Sequence, residues 1–181
     1  MTTSPIWASW QRSDAPIEPI EASASVDPQT TVYVSRDDLP AVARALHDPE
    51  LGFTFLAELT AADFWPREPR FELIYILVSF ARRARLRVKV RLDGQDPHVA
   101  TVSGVWPAAN WLEREVWDLF GIEFDNHPDP RRLLMPEDWD GYPLRKDYPV
   151  QIHMTPTSAQ ALQVSEEEFR ATLEQDRLTR R

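Results

Sequence analysis

Cysteine is absent from the 181 residues. That excludes disulfides, thiol nucleophiles, zinc-finger sites and thiolate ligands for an iron–sulfur cluster. Glycine is scarce, and the five (Gly52, Gly94, Gly104, Gly121, Gly141) stand far apart. No loop of the G-x-G-x-x-G or P-loop kind can be built from them, and there is no G-x-S-x-G nucleophile elbow. The four histidines, His47, His98, His127 and His153, lack an H-E-x-x-H or similar metal spacing. Long apolar runs are missing too. Leu73 to Ala81 is the most apolar stretch, far short of the ~20 residues of a spanning helix. The opening MTTSPIWASWQRSD has neither a basic n-region nor an apolar h-region, so no signal peptide is expected. An excess of positive charge is also lacking. The net charge of -9 disfavours a general nucleic-acid role, which needs a basic surface. The expectation is a soluble, cytoplasmic chain that meets membrane only through a partner.

The composition that is present, 43% hydrophobic and 27% charged, is that of an ordinary globular protein. The length suits one domain with tails, burying roughly 70% of its extended surface. Residues 1–30 are rich in Ser, Ala, Pro and Glu and read as a mobile arm, with Trp7 and Trp10 as anchors for a neighbouring surface. Residues 31–124 read as the folded domain. Thr31 to Ser35 is a short strand; Leu39, Val42, Ala43 and Leu46 form a helical stripe behind Asp37 and Asp38. Phe53 to Phe64 and Phe71 to Phe80 are strands joined by a proline-rich turn. Leu86, Val88, Val90 and Leu92 alternate with Arg85, Arg87, Lys89 and Arg91, so one strand face enters the core and the other carries four cations. That row reads as a solvated face or, more sharply, as a docking stripe for an acidic partner. His98 to Ser103 is a last strand. The order is not alternating βα, so the fold class is α+β: a mostly antiparallel sheet with helices packed on one face, followed by an extended C-terminal ribbon and a short helix.

The most informative stretch is Asn110 to Pro149. Leu112, Val116, Leu119 and Phe120 mark one face of a helix, and Gly121 stands where a left-handed residue would stop it. Beyond it, Pro128, Pro130, Pro136, Pro143 and Pro149 forbid continuous helix or inner strand. This tail still carries Leu133, Leu134, Trp139, Tyr142, Leu144 and Tyr148, so it must lie on something, its own domain or a partner. Residues 125–164 therefore read as an extended partner-docking ribbon, and 165–181 as a C-terminal helix opened by the Ser165–Glu168 capping box. On the first helix, Glu113 and Glu115 point apart, Glu115 and Asp118 are close enough in spacing to meet, and Arg114 and Asp118 are spaced for an i,i+4 pair. Salt bridges are favoured over acid/base catalysis. His127 reads as a hydrogen-bonded structural residue, with a proton role left open.

Glu113-Arg114-Glu115, Asp118 to Ile122, His127-Pro128, Arg131 to Leu134 and Gly141 to Asp147 together resemble the signature of one family. It is the thirty-kilodalton subunit of respiratory complex I, the C subunit of the bacterial NADH-quinone oxidoreductase. Pro130 departs from the pattern, which commonly has an apolar residue such as Leu there. The resemblance implies a peripheral, non-catalytic subunit on the cytoplasmic side of the cell membrane. The complex as a whole is a proton-translocating respiratory-chain translocase, passing electrons from NADH through FMN and iron–sulfur clusters to quinone. It implies no catalytic, cofactor or metal residue in this chain, with FMN and clusters held by partner subunits. The chief partner would be the homologue of the forty-nine-kilodalton (D) subunit of the quinone module. The signature and interface residues it marks are Glu113, Arg114, Glu115, Asp118, Gly121, His127, Arg131, Arg132, Trp139, Tyr142, Leu144, Arg145, Lys146 and Asp147. Two alternatives stay open: the same subunit in a related membrane-bound hydrogenase or plastid-type dehydrogenase, or a free-standing hydrolase using Glu115, Asp118 and His127.

Overall fold

The computed structural model describes residues 17–19 and 29–149. Trp7, Trp10, residues 150–164 and the expected helix over 165–181 lie outside them. Five strands form one mixed sheet: β1 (Ile17–Pro19), β2 (Thr30–Val34), β3 (Phe55–Asp63), β4 (Phe71–Ser79) and β5 (Ala84–Leu92), in the order β1-β2-β5-β4-β3. All neighbours are antiparallel except β2 and β5. Helix α1 (Leu39–His47) follows β2, and helix α2 (Ala109–Phe120) follows the short strand β6 (His98–Ala100). Strand β7 (Glu123–Asp125) then returns beside β6 in a parallel pair.

The alternation in β5 does what its period demands. Leu86, Val88, Val90 and Leu92 are buried opposite Leu77, Tyr75, Leu73 and Phe71 of β4. This is the core face, and α1 closes it with Leu39, Val42, Ala43 and Leu46. The opposite face is less open than a plain cationic row. Lys89 Nζ lies 2.6 Å from Glu72 Oε1 of β4. Tyr33 of β2 donates to Glu72 Oε2 at 2.9 Å, and the Arg91 guanidinium stacks 4.0 Å from the Tyr33 ring centroid. Neighbouring strands thus already answer part of the charge expected to meet an acidic partner.

Two expectations need correcting. Residues 1–30 are not all arm: Ile17–Pro19 pairs antiparallel with β2. A free edge on β2 offers unpaired peptide groups, and an edge strand tolerates a proline. The domain also does not end at Phe124. The chain divides into compact units after Tyr148, so residues 125–148 belong with the α+β domain.

Candidate functional site

Helix α2 organises the site. Its inward stripe is Ala109, Glu113, Val116 and Phe120, all buried, with Leu112 and Leu119 half-buried at its margins. The stripe expected from Leu112 and Leu119 is thus turned by one residue. A carboxylate is tolerated there because Glu113 Oε1 accepts the Val102 N–H at 2.8 Å and Oε2 lies 2.5 Å from the Thr101 hydroxyl. Gly121 ends the helix as expected, with φ 68° and its N–H on Trp117 O at 2.8 Å. It is doubly required, because a Cβ would also collide with the Tyr142 ring and come within 2.6 Å of Arg145 Nη2.

Arg114 and Asp118 lie one turn apart, yet they do not pair with each other. Each grips the segment after β7. Arg114 donates to the carbonyls of Arg131 (2.9 Å) and Arg132 (3.1 Å) and pairs with Asp129 at 3.2 Å. Asp118 Oδ2 accepts three consecutive amides, those of Leu133 (3.0 Å), Leu134 (2.7 Å) and Met135 (2.8 Å). Its Oδ1 accepts from Arg132 at 2.7 Å. Arg132 goes on to the carbonyls of Trp139 and Gly141, with its guanidinium between the Trp117 and Tyr142 rings. Arg145 caps the helix end by donating to Phe120 O (2.5 Å) and Gly121 O (3.1 Å), where carbonyls lack intrahelical partners. The Leu144 amide takes Leu119 O at 3.0 Å.

A second clamp holds the far end. Arg70 makes a bidentate pair with Asp63 (3.0 and 2.8 Å) and another with Asp147 (2.9 and 2.6 Å). Asp63 Oδ2 also accepts the Lys146 amide at 2.8 Å. The segment from His127 to Tyr148 has no strand or helix. Its peptide groups still need partners, and charged side chains of the domain supply many of them.

The electrostatics follow from this geometry. Burial raises the Asp63 carboxyl, but Arg70 and the amides of Lys146 and Trp65 overcome it and hold the group down at about 2. Asp118 shows the same contest: burial raises it, and the Met135 amide, Arg132 and the Leu134 and Leu133 amides bring it below the ordinary value. Glu113 goes the other way. Burial dominates its two donors and pushes it up to about 7.

Of the remaining marked residues, Arg131 is exposed and pairs with Asp129 at 2.5 Å. Lys146 offers its amide to the clamp while the residue is exposed, and Trp139 is half-buried. No hydrogen bond or ion pair reaches the Glu115 side chain among the described residues. His127 donates from Nε2 to Asn110 O (3.1 Å) and receives the Asp129 amide on Nδ1 (3.0 Å). Glu115, Asp118 and His127 therefore form no catalytic set: Asp118 and His127 serve separate structural bonds. Pro130 lines an open cleft of about 240 Å³ with Glu113, Arg114, Trp117, Phe124 and His127. Among the described residues no three His, Asp or Glu side chains gather as a metal site. Sequence reasoning missed Thr101, Asp63, Arg70 and Asp129. One signal existed: after Leu59 and Ala61, Asp63 falls on the core-facing period of its strand.

The profile of the family described as respiratory-chain NADH dehydrogenase, 30 Kd subunit, matches residues 32–153. The chain belongs to this family. It is 49% identical over 132 residues to the C subunit of the NADH-quinone oxidoreductase of Roseiflexus sp. (strain RS-1), covering 72% of this chain and 76% of that one. It is 46% identical over 123 residues to the corresponding C subunit of Geotalea uraniireducens (strain Rf4), covering 68% and 74%. Among solved structures, the trypsin-resistant fragment (1-134) of Nqo5 superposes with TM-score 0.54 at 34% identity, covering 67% of this chain and 94% of the fragment. A chain in the structure of the membrane-bound sulfane sulfur reductase, an archaeal respiratory membrane complex, superposes with TM-score 0.63 at 28% identity, covering 74% and 78%. The matched family region contains the whole double clamp, from Asp63 to Asp147.

Proposed function

We propose that this chain is a non-catalytic structural subunit of the peripheral arm of a proton-translocating NADH-quinone oxidoreductase. It supports the quinone-module subunits, chiefly the homologue of the forty-nine-kilodalton (D) subunit, from the cytoplasmic side of the membrane. FMN and iron–sulfur clusters belong to the partner subunits. The observation that carries this reading is the clamped segment itself. A proline-rich stretch is fixed on the domain by polar bonds while its Leu134 (59% exposed) and Leu144 (51%) face outward, as does Trp111 (59%) of α2. Exposed apolar side chains on a rigid frame suit a partner surface. No helix among the described residues is long and apolar enough to cross a membrane, so contact through the complex accounts for membrane association.

A second reading places the same subunit in a related membrane-bound respiratory complex with another electron donor. The likeness to the sulfane sulfur reductase chain supports it, at 28% identity against 49% and 46% for the two NADH-quinone oxidoreductase relatives. The test is a triple variant, Trp111→Ser, Leu134→Ser and Leu144→Ser. All three positions are exposed, so the chain should fold normally while assembled complex and NADH:quinone activity in membranes fall together. Normal complex levels on a native gel would remove these residues from the partner interface.

A further inference from the structure

Glu113 shares α2 with the clamp residues but takes no part in gripping the segment. The residue is fully buried, and among the described residues no Lys or Arg pairs with it. Arg114, its neighbour, is turned to the carbonyls of Arg131 and Arg132. The other ionisable groups that face it are Tyr75 from β4 and His127 from beyond β7, whose Nε2 is 3.6 Å from Glu113 Oε2. Glu123 lines the same cleft, and Asp129 stands behind His127.

Counting protons in this cluster gives one arrangement. His127 Nδ1 receives the Asp129 N–H, so a proton on Nδ1 would set two donors face to face at 3.0 Å. The histidine therefore carries its proton on Nε2, shared with Asn110 O. Tyr75 keeps its own, because burial and then the charge of Glu113 oppose ionisation. A further proton entering the cluster goes to Glu113. As a neutral acid it donates from Oε2 to Thr101 Oγ1, freeing the Thr101 hydroxyl to donate to Ser103 Oγ at 2.8 Å. As a carboxylate it needs that hydroxyl back, and Ser103 loses its donor. Thr101 and Ser103 are half-buried, one step nearer solvent than Glu113.

We propose that Glu113 is a proton-binding site of the folded chain, resting as the neutral carboxylic acid and exchanging its proton with solvent through Thr101 and Ser103. Release of the proton turns the Thr101 hydroxyl and resets the bonds of the loop that leads into α2. The proposal is independent of which respiratory complex the chain serves. Burial raising the carboxyl to about 7 agrees with a site that changes state near neutrality.

The test is a carbon-13 NMR titration of the Glu113 carboxyl in the full-length chain from about pH 5 to about pH 9, following the Val102 and Ser103 amides in parallel. The expected result is a carboxyl midpoint near 7, with both amides moving at the same midpoint. A midpoint in the ordinary carboxylate range would overturn the proposal outright. Glu113→Gln, whose side-chain amide can make the same donation to Thr101, should abolish the step at Val102 and Ser103; a step that survives it belongs to another group and refutes the assignment. Thr101→Val should leave the Glu113 titration in place and uncouple Ser103. If Ser103 still follows, the exchange route is wrong.

Discussion

Replacing Asp118 by Asn tests the logic of the clamp most sharply. The wild-type side chain is fully buried and accepts four hydrogen bonds, three from backbone amides and one from Arg132. An asparagine keeps one oxygen, enough for the amides of Leu133, Leu134 and Met135. Its NH2 then faces the Arg132 guanidinium, donor against donor, and that half-buried cation loses its counter-charge. Breaking a buried pair by removing one partner costs ~3–5 kcal/mol, a large share of the ~5–15 kcal/mol that holds a domain folded. The loss should be local first. Hydrogen exchange at Leu133, Leu134 and Met135 should speed up by about two to three and a half orders of magnitude, since each tenfold is ~1.4 kcal/mol. Urea denaturation should report a lower midpoint. A double variant with Arg132→Met should cost less than the sum of the two singles, because each single strands the other's charge. The pH dependence has a fixed sign: the folded carboxyl is lowered, so its contribution is present above the ordinary 3.8 and is lost as pH falls through the lower folded value. A cost below ~1 kcal/mol, typical of an exposed pair, with unchanged exchange at the three amides would refute the reasoning.

Three further outcomes follow from the same geometry. Asp63 falls from 3.8 to about 2 on folding. Its stabilisation is complete above 3.8 and lost as pH drops through about 2, amounting to about 2–3 kcal/mol at ~1.4 kcal/mol per unit, and Asp63→Asn should remove that acid-sensitive part from a denaturation series. Gly121→Ala must hold φ 68° and displace the Tyr142 ring. It should cost ~1–2 kcal/mol for the left-handed backbone alone, with a further loss from the collision, read as a lower Tm. The Tyr75 hydroxyl is buried without a hydrogen-bond partner among the described residues, so Tyr75→Phe should be neutral or stabilising by up to ~1 kcal/mol in urea denaturation; a clear destabilisation would mean the hydroxyl has a partner.

Much of the fold was legible because its signals are local. Leu86 to Leu92 alternate over a full strand, and Gly121 stands where the helical period stops. The strand Ile17–Pro19 carries no such signal: three residues, the last of them a proline and preceded by Pro16, have no period, and only the free edge of β2 explains them. The candidate site divides along the same line. Arg114, Asp118, Arg132, Arg145 and Asp147 could be named, but their partners could not. Helix spacing suggested Arg114 with Asp118, whereas both reach residues brought back by the turn after β7. Arg70 meets Asp147 across most of the domain, and no local pattern encodes that meeting. The segment 127–148 reads from the sequence as part of a ribbon that docks on a partner. It lies on its own domain, because the side chains that satisfy its peptide groups are there.

Membership in an NADH-quinone oxidoreductase as a supporting subunit is open to direct measurement. The tagged full chain is purified in mild detergent from the membranes of the organism that encodes it. Mass spectrometry then identifies the co-purifying proteins, and an NADH:quinone assay is run on the eluate. The expected result is recovery with the D-subunit homologue and with subunits carrying FMN and iron–sulfur clusters, together with NADH-dependent quinone reduction. Recovery of the chain alone, or within a respiratory complex that does not oxidise NADH, would contradict that membership.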